Sequence, residues 1–269
     1  MKTRIIAAAV LVPILLLIVL VADKIIAAIL FGLMMSIGAY ELLYRTGLVR
    51  HMRLVLYSCA MAFGITMWSY AGAVHAYLLV AIMLFCMVLF GEMMLDHIKV
   101  RFQMISMCMV AGFLIPYMLG AIIRILSMTL GRYLILIPFV IAFLSDAGAY
   151  FIGRQFGSHK LAPVVSPNKT VEGALGGVGF AVAGAIVYTI ILHFLDFRVN
   201  YLVAILYGIL GSLVGMFGDL CFSIIKRQTG IKDYGNLIPG HGGILDRFDS
   251  MVFVAPLIEV LLYLLPVAV

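Results

Sequence analysis

Ionisable side chains in this chain gather in one stretch, residues 218–250. The chain as a whole is 65% hydrophobic and 11% charged, yet these 33 residues hold four carboxylates, four cationic side chains and a histidine. Asp219 and Ser223 stand one helical turn apart. Lys226 and Arg227 follow at the next steps of three and four, so a helix here would place these side chains on one face. A carboxylate, a hydroxyl and two cations on one face suit metal and phosphate chemistry.

A glycine-rich segment, residues 230–243, leads from that predicted helix to two further carboxylates. Its glycines let backbone N–H groups approach an anion closely, as in loops that bind phosphate. Asp246 and Asp249 stand three residues apart at the start of the next predicted helix. Together with Asp219 they form a set of hard oxygen ligands suited to Mg²⁺ with phosphate as a co-ligand. We therefore expect metal-assisted phosphoryl or nucleotidyl transfer; the plainer alternative is a basic loop between two membrane spans.

A second polar segment follows an aspartate, Asp146, that lies inside an apolar run. Residues 157–173 are rich in glycine and proline, which predicts a folded loop. Thr170 or Asn168 can cap the helix that follows, and its free N–H groups with Lys169 would attract a phosphate. The alternative is a capped loop that carries ordinary cytoplasmic positive charge.

Long apolar runs separated by short polar breaks predict an all-α polytopic membrane protein rather than a soluble core. We expect one membrane domain over residues 1–269, in which residues 1–132 form a scaffold with candidate dimer contacts and residues 133–269 carry the catalytic helices and loops. The nine predicted spans are Ile5–Ala22, Ile25–Tyr44, Leu54–Ala71, Ala73–Leu95, Phe102–Leu126, Tyr133–Gly153, Val171–Leu195, Tyr201–Ile225 and Met251–Val267.

Positive charge is unevenly distributed among the predicted loops. Of the 18 Lys and Arg residues, 14 fall on the side of the N-terminus and 4 on the other side. Because short cytoplasmic loops carry the excess of Lys and Arg, we expect a cytoplasmic N-terminus, a C-terminus outside, and both polar segments in the cytoplasm. The net charge of +6 suits contact with anionic membrane lipids, and no basic stripe on a soluble domain suggests nucleic acid.

Four ordered patterns add a family resemblance to this interpretation. The chain reads S-D-x-x-A-Y-x-x-G-R-x-x-G at 145–157, S-P-x-K-T-x-E-G at 166–173, S-x-x-K-R at 223–227 and P-x-H-G-G-x-x-D-R-x-D at 239–249. These patterns resemble the phosphatidate cytidylyltransferases, also called CDP-diacylglycerol synthases. The resemblance covers residues 143–250. One departure is Ala147, where that family would have threonine.

The resemblance implies that the protein converts CTP and phosphatidate to CDP-diacylglycerol and pyrophosphate with Mg²⁺. It implies a bacterial inner-membrane enzyme, a homodimer, and phosphatidate taken from the cytoplasmic leaflet. Roles then follow as hypotheses: Asp219, Asp246 and Asp249 hold the metal, and His241 is a candidate proton donor or an ordering residue for its loop. The remaining candidates bind the phosphates of the substrates or line the cavity: Asp146, Asn168, Lys169, Ser223, Lys226, Arg227, Gly242, Gly243 and Arg247.

Two other functions fit parts of the sequence. The same transfer chemistry could act on another lipid, such as an isoprenoid-ether analogue of phosphatidate or a polyprenol. A transporter could instead line an ion path with the carboxylates of Asp146, Asp219, Glu92 and Glu259. A transporter leaves the long glycine-rich loop unexplained. For Glu41 and the neighbouring basic residues 45–53, we expect a role as interface anchors facing lipid headgroups.

Overall fold

The computed structural model describes residues 20–72, 74–237, 240 and 242–268. The chain is almost wholly helical, with π-helical turns at Glu41–Arg45 and Val110–Leu114 and two short strands, β1 (Lys160–Ala162) and β2 (Ser166–Thr170). In chain order the helices are α1 (Lys24–Tyr40), α2 (Met52–Ala71), α3 (His75–Leu95), α4 (Phe102–Met109), α5 (Ile115–Leu119), α6 (Ala121–Ser127), α7 (Gly131–Leu134), α8 (Leu136–Phe156), α9 (Val171–Phe194), α10 (Tyr201–Gln228), α11 (Leu245–Phe248) and α12 (Met251–Leu264).

The predicted all-α polytopic fold is confirmed. In the described part of the chain, 7 helical segments are long and apolar enough to cross a membrane, and each overlaps a predicted span. The ninth predicted span, Met251–Val267, appears as α12, a shorter apolar helix of 14 residues. The predicted span Ile5–Ala22 lies almost entirely outside the described residues, so the count of nine stays a prediction, as does the orientation.

Contacts divide the chain into two compact units. The first contains the described residues up to Ser127 together with Gln228–Phe248, and the second contains Met128–Arg227 together with Asp249–Val269. The glycine-rich segment and α11 therefore belong with the N-terminal helices, although they follow α10 in sequence. Each unit is described separately below.

In the first unit, one predicted span is broken into short pieces. Residues 102–127 run as α4, a π-helical turn, α5 and α6. Pro116 lies in the first turn of α5, where its missing N–H and its ring disturb the regular hydrogen-bond pattern of the turn before it. The chain also packs closely at the π-helical turn of this span: a Cβ on Gly112 would lie 3.0 Å from the Cα of Ser58.

In the second unit, glycines let helices α8 and α9 approach closely. A Cβ on Gly173 would lie 2.8 Å from the carbonyl oxygen of Ala149, and one on Gly177 would lie 2.9 Å from the carbonyl oxygen of Ser145. Small residues allow such close contacts between membrane helices. Gly173 and Gly177, one helical turn apart, therefore form the face of α9 that contacts α8.

The segment between α8 and α9 contains a small β-hairpin rather than an unstructured loop. Strands β1 and β2 pair antiparallel, with Lys160 opposite Thr170 and Ala162 opposite Ser166. The sequence indicated a folded loop but not the strand pairing, because each strand is short and its turn signals dominate. The hairpin leads directly into α9, whose N-terminus carries the cap described next.

Candidate functional site

In the second unit, the C-terminal end of α10 carries the expected cluster of polar side chains. The Ser223 hydroxyl donates to Asp219 Oδ1 over 3.2 Å, which confirms that these two residues share one helix face. On the other side of the same carboxylate, Lys169 Nζ lies 2.5 Å from Asp219 Oδ2. Both of these charged side chains are largely buried, with 24% and 28% of their surface exposed. The two polar segments of the sequence, residues 157–173 and 218–250, thus meet in one ion pair.

A second carboxylate, Asp249, lies just before α12 and pairs with Lys226. Lys226 Nζ stands 3.9 Å from Asp249 Oδ2, and each side chain is 14% exposed. Burial is the largest cause of a pKa at Asp249 above the ordinary value. The negative charge of Asp219 raises this pKa further, the ammonium of Lys226 opposes the rise, and Asp146 contributes in the raising direction. The second unit therefore concentrates negative charge in a poorly solvated place, where an added cation would be stabilised.

Close packing of α10 on α12 positions Asp249. A Cβ on Gly218 would lie 2.8 Å from the carbonyl oxygen of Asp249 and 2.9 Å from Phe253 Cδ2. One turn earlier, a Cβ on Gly215 would lie 2.9 Å from Val254 Cγ2. Because neither position has room for a side chain, the backbone next to Asp249 is held directly against the helix that carries Asp219.

Capping and an ion pair order the hairpin that carries Lys169. Thr170 is the N-cap of α9, and its hydroxyl accepts a hydrogen bond from Gly173 N over 3.1 Å, so of the two expected caps the threonine is used. The carboxylate of Glu172 lies 2.6 Å from His159 Nδ1 and accepts the backbone N–H groups of Ser158 and His159. Lys169 therefore extends from a segment fixed on both sides.

Three other predicted site residues lie in this unit. Arg227 Nε donates to the carbonyl oxygen of Val165 in the hairpin turn over 3.2 Å. Asn168 lies on β2 and is exposed. Asp146 lies in α8 and interacts electrostatically with Asp249. Arg227 and Lys169 thus link α10 to the hairpin at two points.

In the first unit, Asp246 orders the glycine-rich segment. The side chain is buried, and its Oδ2 accepts hydrogen bonds from Tyr234 N at 2.8 Å and from Gly243 N at 3.0 Å. Gly242 has φ of +86°, a conformation that favours glycine, and a Cβ there would lie 2.7 Å from the same oxygen. Because the Gly243 N–H is directed to Asp246, it is not directed at a phosphate in this structure.

The roles of three other predicted residues, in or shortly after the glycine-rich segment, stay predictions. His241 lies outside the described residues. Arg247 is on α11 and exposed, and Gly242 is half-buried. The structure brings Asp219 and Asp249 together within the second unit, whereas Asp246 belongs to the first. The proposal that all three carboxylates hold one metal stays a prediction.

Glu41 is a member of this region that the sequence did not indicate. The side chain is 3% exposed, and its two carboxylate oxygens accept the backbone N–H groups of Ile244 at 3.2 Å and Leu245 at 3.0 Å. The expectation that Glu41 is an interface anchor was therefore wrong. A lone glutamate near the end of an apolar run has no spacing signal, and its partners lie about two hundred residues further along the chain.

The donors of the second unit fit a divalent cation that also binds substrate phosphates. Within each unit, no three His, Cys, Asp or Glu side chains of the described residues form a ready-made metal cluster. Mg²⁺ in nucleotide-binding sites is usually held by one or two carboxylates, with waters and phosphates completing the octahedron. Asp219 and Asp249 supply that number of carboxylates, and the pKa of Asp249 is raised first by burial and then by the negative charge of Asp219. The residues present therefore suit Mg²⁺ bound together with a nucleotide.

Comparison with known families extends to nearly the whole chain. The model of the cytidylyltransferase family matches residues 2–265. The match includes both described units and all of the polar segments discussed above.

Individual relatives match over a shorter region. A phosphatidate cytidylyltransferase of Staphylococcus haemolyticus is 49% identical over 132 residues, which are 49% of this chain and 50% of that protein. Phosphatidate cytidylyltransferases of Staphylococcus saprophyticus and Staphylococcus epidermidis are 48% and 49% identical over 132 and 131 residues. The chain thus spans about half the length of the curated relatives it matches.

Proposed function

Because the chain belongs to the cytidylyltransferase family, we propose that it transfers the cytidylyl group of CTP to phosphatidate, giving CDP-diacylglycerol and pyrophosphate. The relatives described above are named phosphatidate cytidylyltransferases, which supports phosphatidate as the acceptor. The structural observation that carries the proposal is the cluster of Asp219, Asp249, Lys169 and Lys226 in the second unit. Paired carboxylates and lysines of this kind suit a reaction between two phosphate groups.

The reaction needs no covalent intermediate with the protein. A phosphate oxygen of phosphatidate attacks the α-phosphorus of CTP, and the bond from that phosphorus to the oxygen bridging the α- and β-phosphates breaks. Pyrophosphate leaves with the electron pair of the broken bond. A phosphate monoester has its second pKa at about 6, so at neutral pH the attacking oxygen is already largely deprotonated. The protein must therefore align two anions and neutralise their charge rather than remove a proton.

Asp219 and Asp249 would hold Mg²⁺ in this proposal, and Asp246 keeps the role of a predicted metal ligand that its place in the P-x-H-G-G-x-x-D-R-x-D pattern gives it. The bound metal neutralises phosphate charge and stabilises the developing charge on the leaving pyrophosphate. Ser223 keeps the Asp219 carboxylate oriented through the hydrogen bond to Oδ1. Such partners of a ligand fix its geometry.

Lys169 and Lys226 supply the positive charge for the substrates. In the described structure each lysine lies beside a carboxylate, at 2.5 Å for Lys169 and Asp219 and at 3.9 Å for Lys226 and Asp249. From these positions both ammonium groups would bind phosphate oxygens of the substrates. Arg227 and Arg247 provide further cationic contacts, and Asp146 and Asn168 line the nucleotide side. The backbone at Gly242 contacts the triphosphate, and His241 keeps its predicted role as a proton donor or an ordering residue for its loop.

The apolar helices support a membrane setting for the proposed reaction. Phosphatidate enters from the cytoplasmic leaflet of the inner membrane, because its acyl chains leave hydrocarbon only at a high free-energy cost. Helix α3 supports lipid or subunit contact, since only 11% of its most apolar 18-residue stretch is buried among the described residues. We include a homodimer formed through the N-terminal helices in the proposal. The nucleotide and the polar segments are on the cytoplasmic side.

Lipid and nucleotide specificity test the proposal. The detergent-purified protein is incubated with Mg²⁺, one of the four ribonucleoside triphosphates, and one of three acceptors: phosphatidate, an isoprenoid-ether analogue or a polyprenol. We expect pyrophosphate release with CTP and phosphatidate together, and little with either alone. Release with a polyprenol but not with phosphatidate would replace the proposed acceptor. No release with any acceptor, while a known phosphatidate cytidylyltransferase works in the same assay, would reject the proposal.

A further inference from the structure

We propose that Glu41 is a positioning residue that holds the glycine-rich segment and Asp246 in their active arrangement. This proposal rests on the proposed function, because it treats Asp246 as part of the reaction site. Glu41 lies outside all four sequence patterns, near the end of the first described membrane span. The contacts that support the proposal all lie within the first unit.

Both carboxylate oxygens of Glu41 accept hydrogen bonds from the backbone that directly follows the glycine-rich segment. Oε1 accepts from Ile244 N and Oε2 accepts from Leu245 N, which are consecutive N–H groups immediately before Asp246. A buried carboxylate with two backbone donors forms charge-assisted hydrogen bonds, which are stronger than neutral ones. Since the side chain is 3% exposed, water does not replace these bonds easily. Glu41 thereby fixes the two backbone N–H groups that immediately precede Asp246.

Glycines on both sides make room for this carboxylate. A Cβ built on Gly235 would meet Glu41 Oε1 and lie 2.8 Å from Glu41 Cδ. A Cβ on Gly243 would meet both carboxylate oxygens and lie 2.5 Å from Glu41 Cδ. The glycine requirement at these two positions therefore arises from Glu41, not from a positive φ. The segment is shaped around the glutamate.

Two further contacts join the glycine-rich segment and α11 to α1 and the π-helical turn that follows it. Arg45, four residues after Glu41 on the π-helical turn, donates to Asn236 Oδ1 over 2.6 Å. The rings of Phe31 on α1 and Phe248 on α11 meet edge to face with centroids 5.9 Å apart. π-helical turns within α-helices are frequent at functional sites. Here the turn places both Glu41 and Arg45 against the segment that carries Asp246.

Glu41 and Asp246 accept different backbone N–H groups, which distinguishes the positioning role of Glu41 from the proposed metal-binding role of Asp246. Asp246 Oδ2 holds Tyr234 N and Gly243 N, whereas Glu41 holds the next two N–H groups along the chain. Two carboxylates thus fix three consecutive peptide N–H groups, at residues 243–245. Loss of the Glu41 contacts would allow this backbone to rotate and Asp246 to move with it. Residues that orient a metal ligand in this way typically change metal affinity or activity about 10- to 100-fold when mutated.

Glu41→Gln is the direct test, because it keeps the size of the side chain but presents an N–H₂ group to one of the two backbone donors. We expect a folded protein with a lower melting temperature than the wild type, because one buried N–H group loses its acceptor. Its turnover should fall about 10- to 100-fold, and the Mg²⁺ concentration for half-maximal turnover should rise. Hydrogen exchange measured on peptides covering residues 243–248 should become faster in the absence of substrate. Wild-type turnover, Mg²⁺ requirement and exchange in a folded variant would overturn the proposal.

Glu92→Gln is the matched control. Glu92 lies on α3 in the same unit, and its Oε1 accepts from the Tyr57 hydroxyl at 3.1 Å rather than from the glycine-rich segment. We expect this variant to leave turnover, the Mg²⁺ requirement and exchange at residues 243–248 unchanged. Equal effects of the two substitutions would mean that any lost buried carboxylate of this unit is harmful, and would overturn a specific role for Glu41.

Gly235→Ala gives a second test that keeps the glutamate. Its methyl group would press on Glu41 and displace the carboxylate, so a folded variant should show the same rise in the Mg²⁺ requirement. If Glu41→Gln does not fold, a wild-type Mg²⁺ requirement in Gly235→Ala overturns the proposal. Failure of both variants to fold also overturns it, because it would assign Glu41 to stability alone. Hydrogen exchange does not depend on activity. A wild-type protein with no transferase activity would therefore reject the proposed function, while the exchange comparison would still decide the Glu41 contacts.

Discussion

Gly218 offers a test of how the fold positions Asp249. The residue is in the interior of α10, and a Cβ there would lie 2.8 Å from the Asp249 carbonyl oxygen, 2.9 Å from Phe253 Cδ2 and 3.3 Å from Ser250 Cα. Two of these three atoms belong to the backbone, which cannot move aside as a flexible side chain would. Gly218→Ala should therefore push α12 and Asp249 away from α10.

The size of the effect follows from a comparison with Gly179. Gly179 lies inside α9 in the same unit, and a Cβ there would meet no atom within 4 Å. Replacing a helical glycine by alanine favours the helix by about 0.5–1 kcal/mol at either position. Overpacking at Gly218 opposes this gain by about 1–3 kcal/mol. Because the helix contribution cancels between the two variants, Gly218→Ala should be less stable than Gly179→Ala by about 1–3 kcal/mol.

Thermal unfolding in detergent and turnover with CTP and phosphatidate measure the two consequences. We expect Gly179→Ala to match or exceed the wild type in stability and to keep its turnover. Gly218→Ala should melt at a lower temperature, and the fraction that remains folded should turn over more slowly because Asp249 is displaced. If the two alanine variants have the same melting temperature and turnover, the contact at Gly218 does not position the site.

Three further predictions concern residues of the second unit. Asp219→Asn should abolish turnover in a folded protein, whereas Ser223→Ala should lower turnover without abolishing it, because Ser223 orients Asp219 but direct attack by phosphatidate needs no serine nucleophile; both are measured by pyrophosphate release. Thr170→Ala should lower the free energy of unfolding by about 1 kcal/mol through loss of the N-cap, and Thr170→Ser should restore it in thermal unfolding. Lys226→Met should reduce turnover and should also destabilise the protein, because it leaves the largely buried Asp249 without its cationic partner; thermal unfolding with and without Mg²⁺ should show the loss mainly without metal.

Hydrophobicity and charge were sufficient to predict most of the fold. The runs of apolar residues predict the seven long helical segments because a membrane span requires about 20 such residues. The breaks within residues 102–127 were not predicted, since hydropathy does not distinguish a straight helix from one interrupted at Pro116. The last helix is shorter than its apolar run, because α12 ends at Leu264 while the run continues to the C-terminus.

The grouping of residues 228–248 with the N-terminal helices was also beyond the sequence. Neighbouring segments in a chain usually pack together, so this segment was expected to belong with α10 and α12. Its association depends instead on Glu41 and Arg45, whose partners lie far along the chain. Spacing rules describe residues on one helix and contain no information on such distant pairs.

Parts of the candidate site were predictable from local rules. Spacing predicted the shared face of Asp219 and Ser223, and the capping preference of threonine predicted the role of Thr170. The contact of Lys169 with Asp219 joins two separate polar segments, and spacing within either segment does not predict it. Asp246 was predicted as a metal ligand from its pattern, and its bonds to Tyr234 N and Gly243 N became visible only in the structure.

The position of the label transferred from CTP tests the central claim most directly. Detergent-purified protein is incubated with phosphatidate and with CTP labelled at either the α- or the γ-phosphate, in Mg²⁺ or in EDTA, with Asp219→Asn as the inactive control. The proposed reaction predicts that the α-label enters the lipid phase while the γ-label appears only in pyrophosphate, and that both events require Mg²⁺ and phosphatidate. Transfer of the γ-label to lipid would indicate a kinase reaction, and no transfer of either label would contradict cytidylyl transfer.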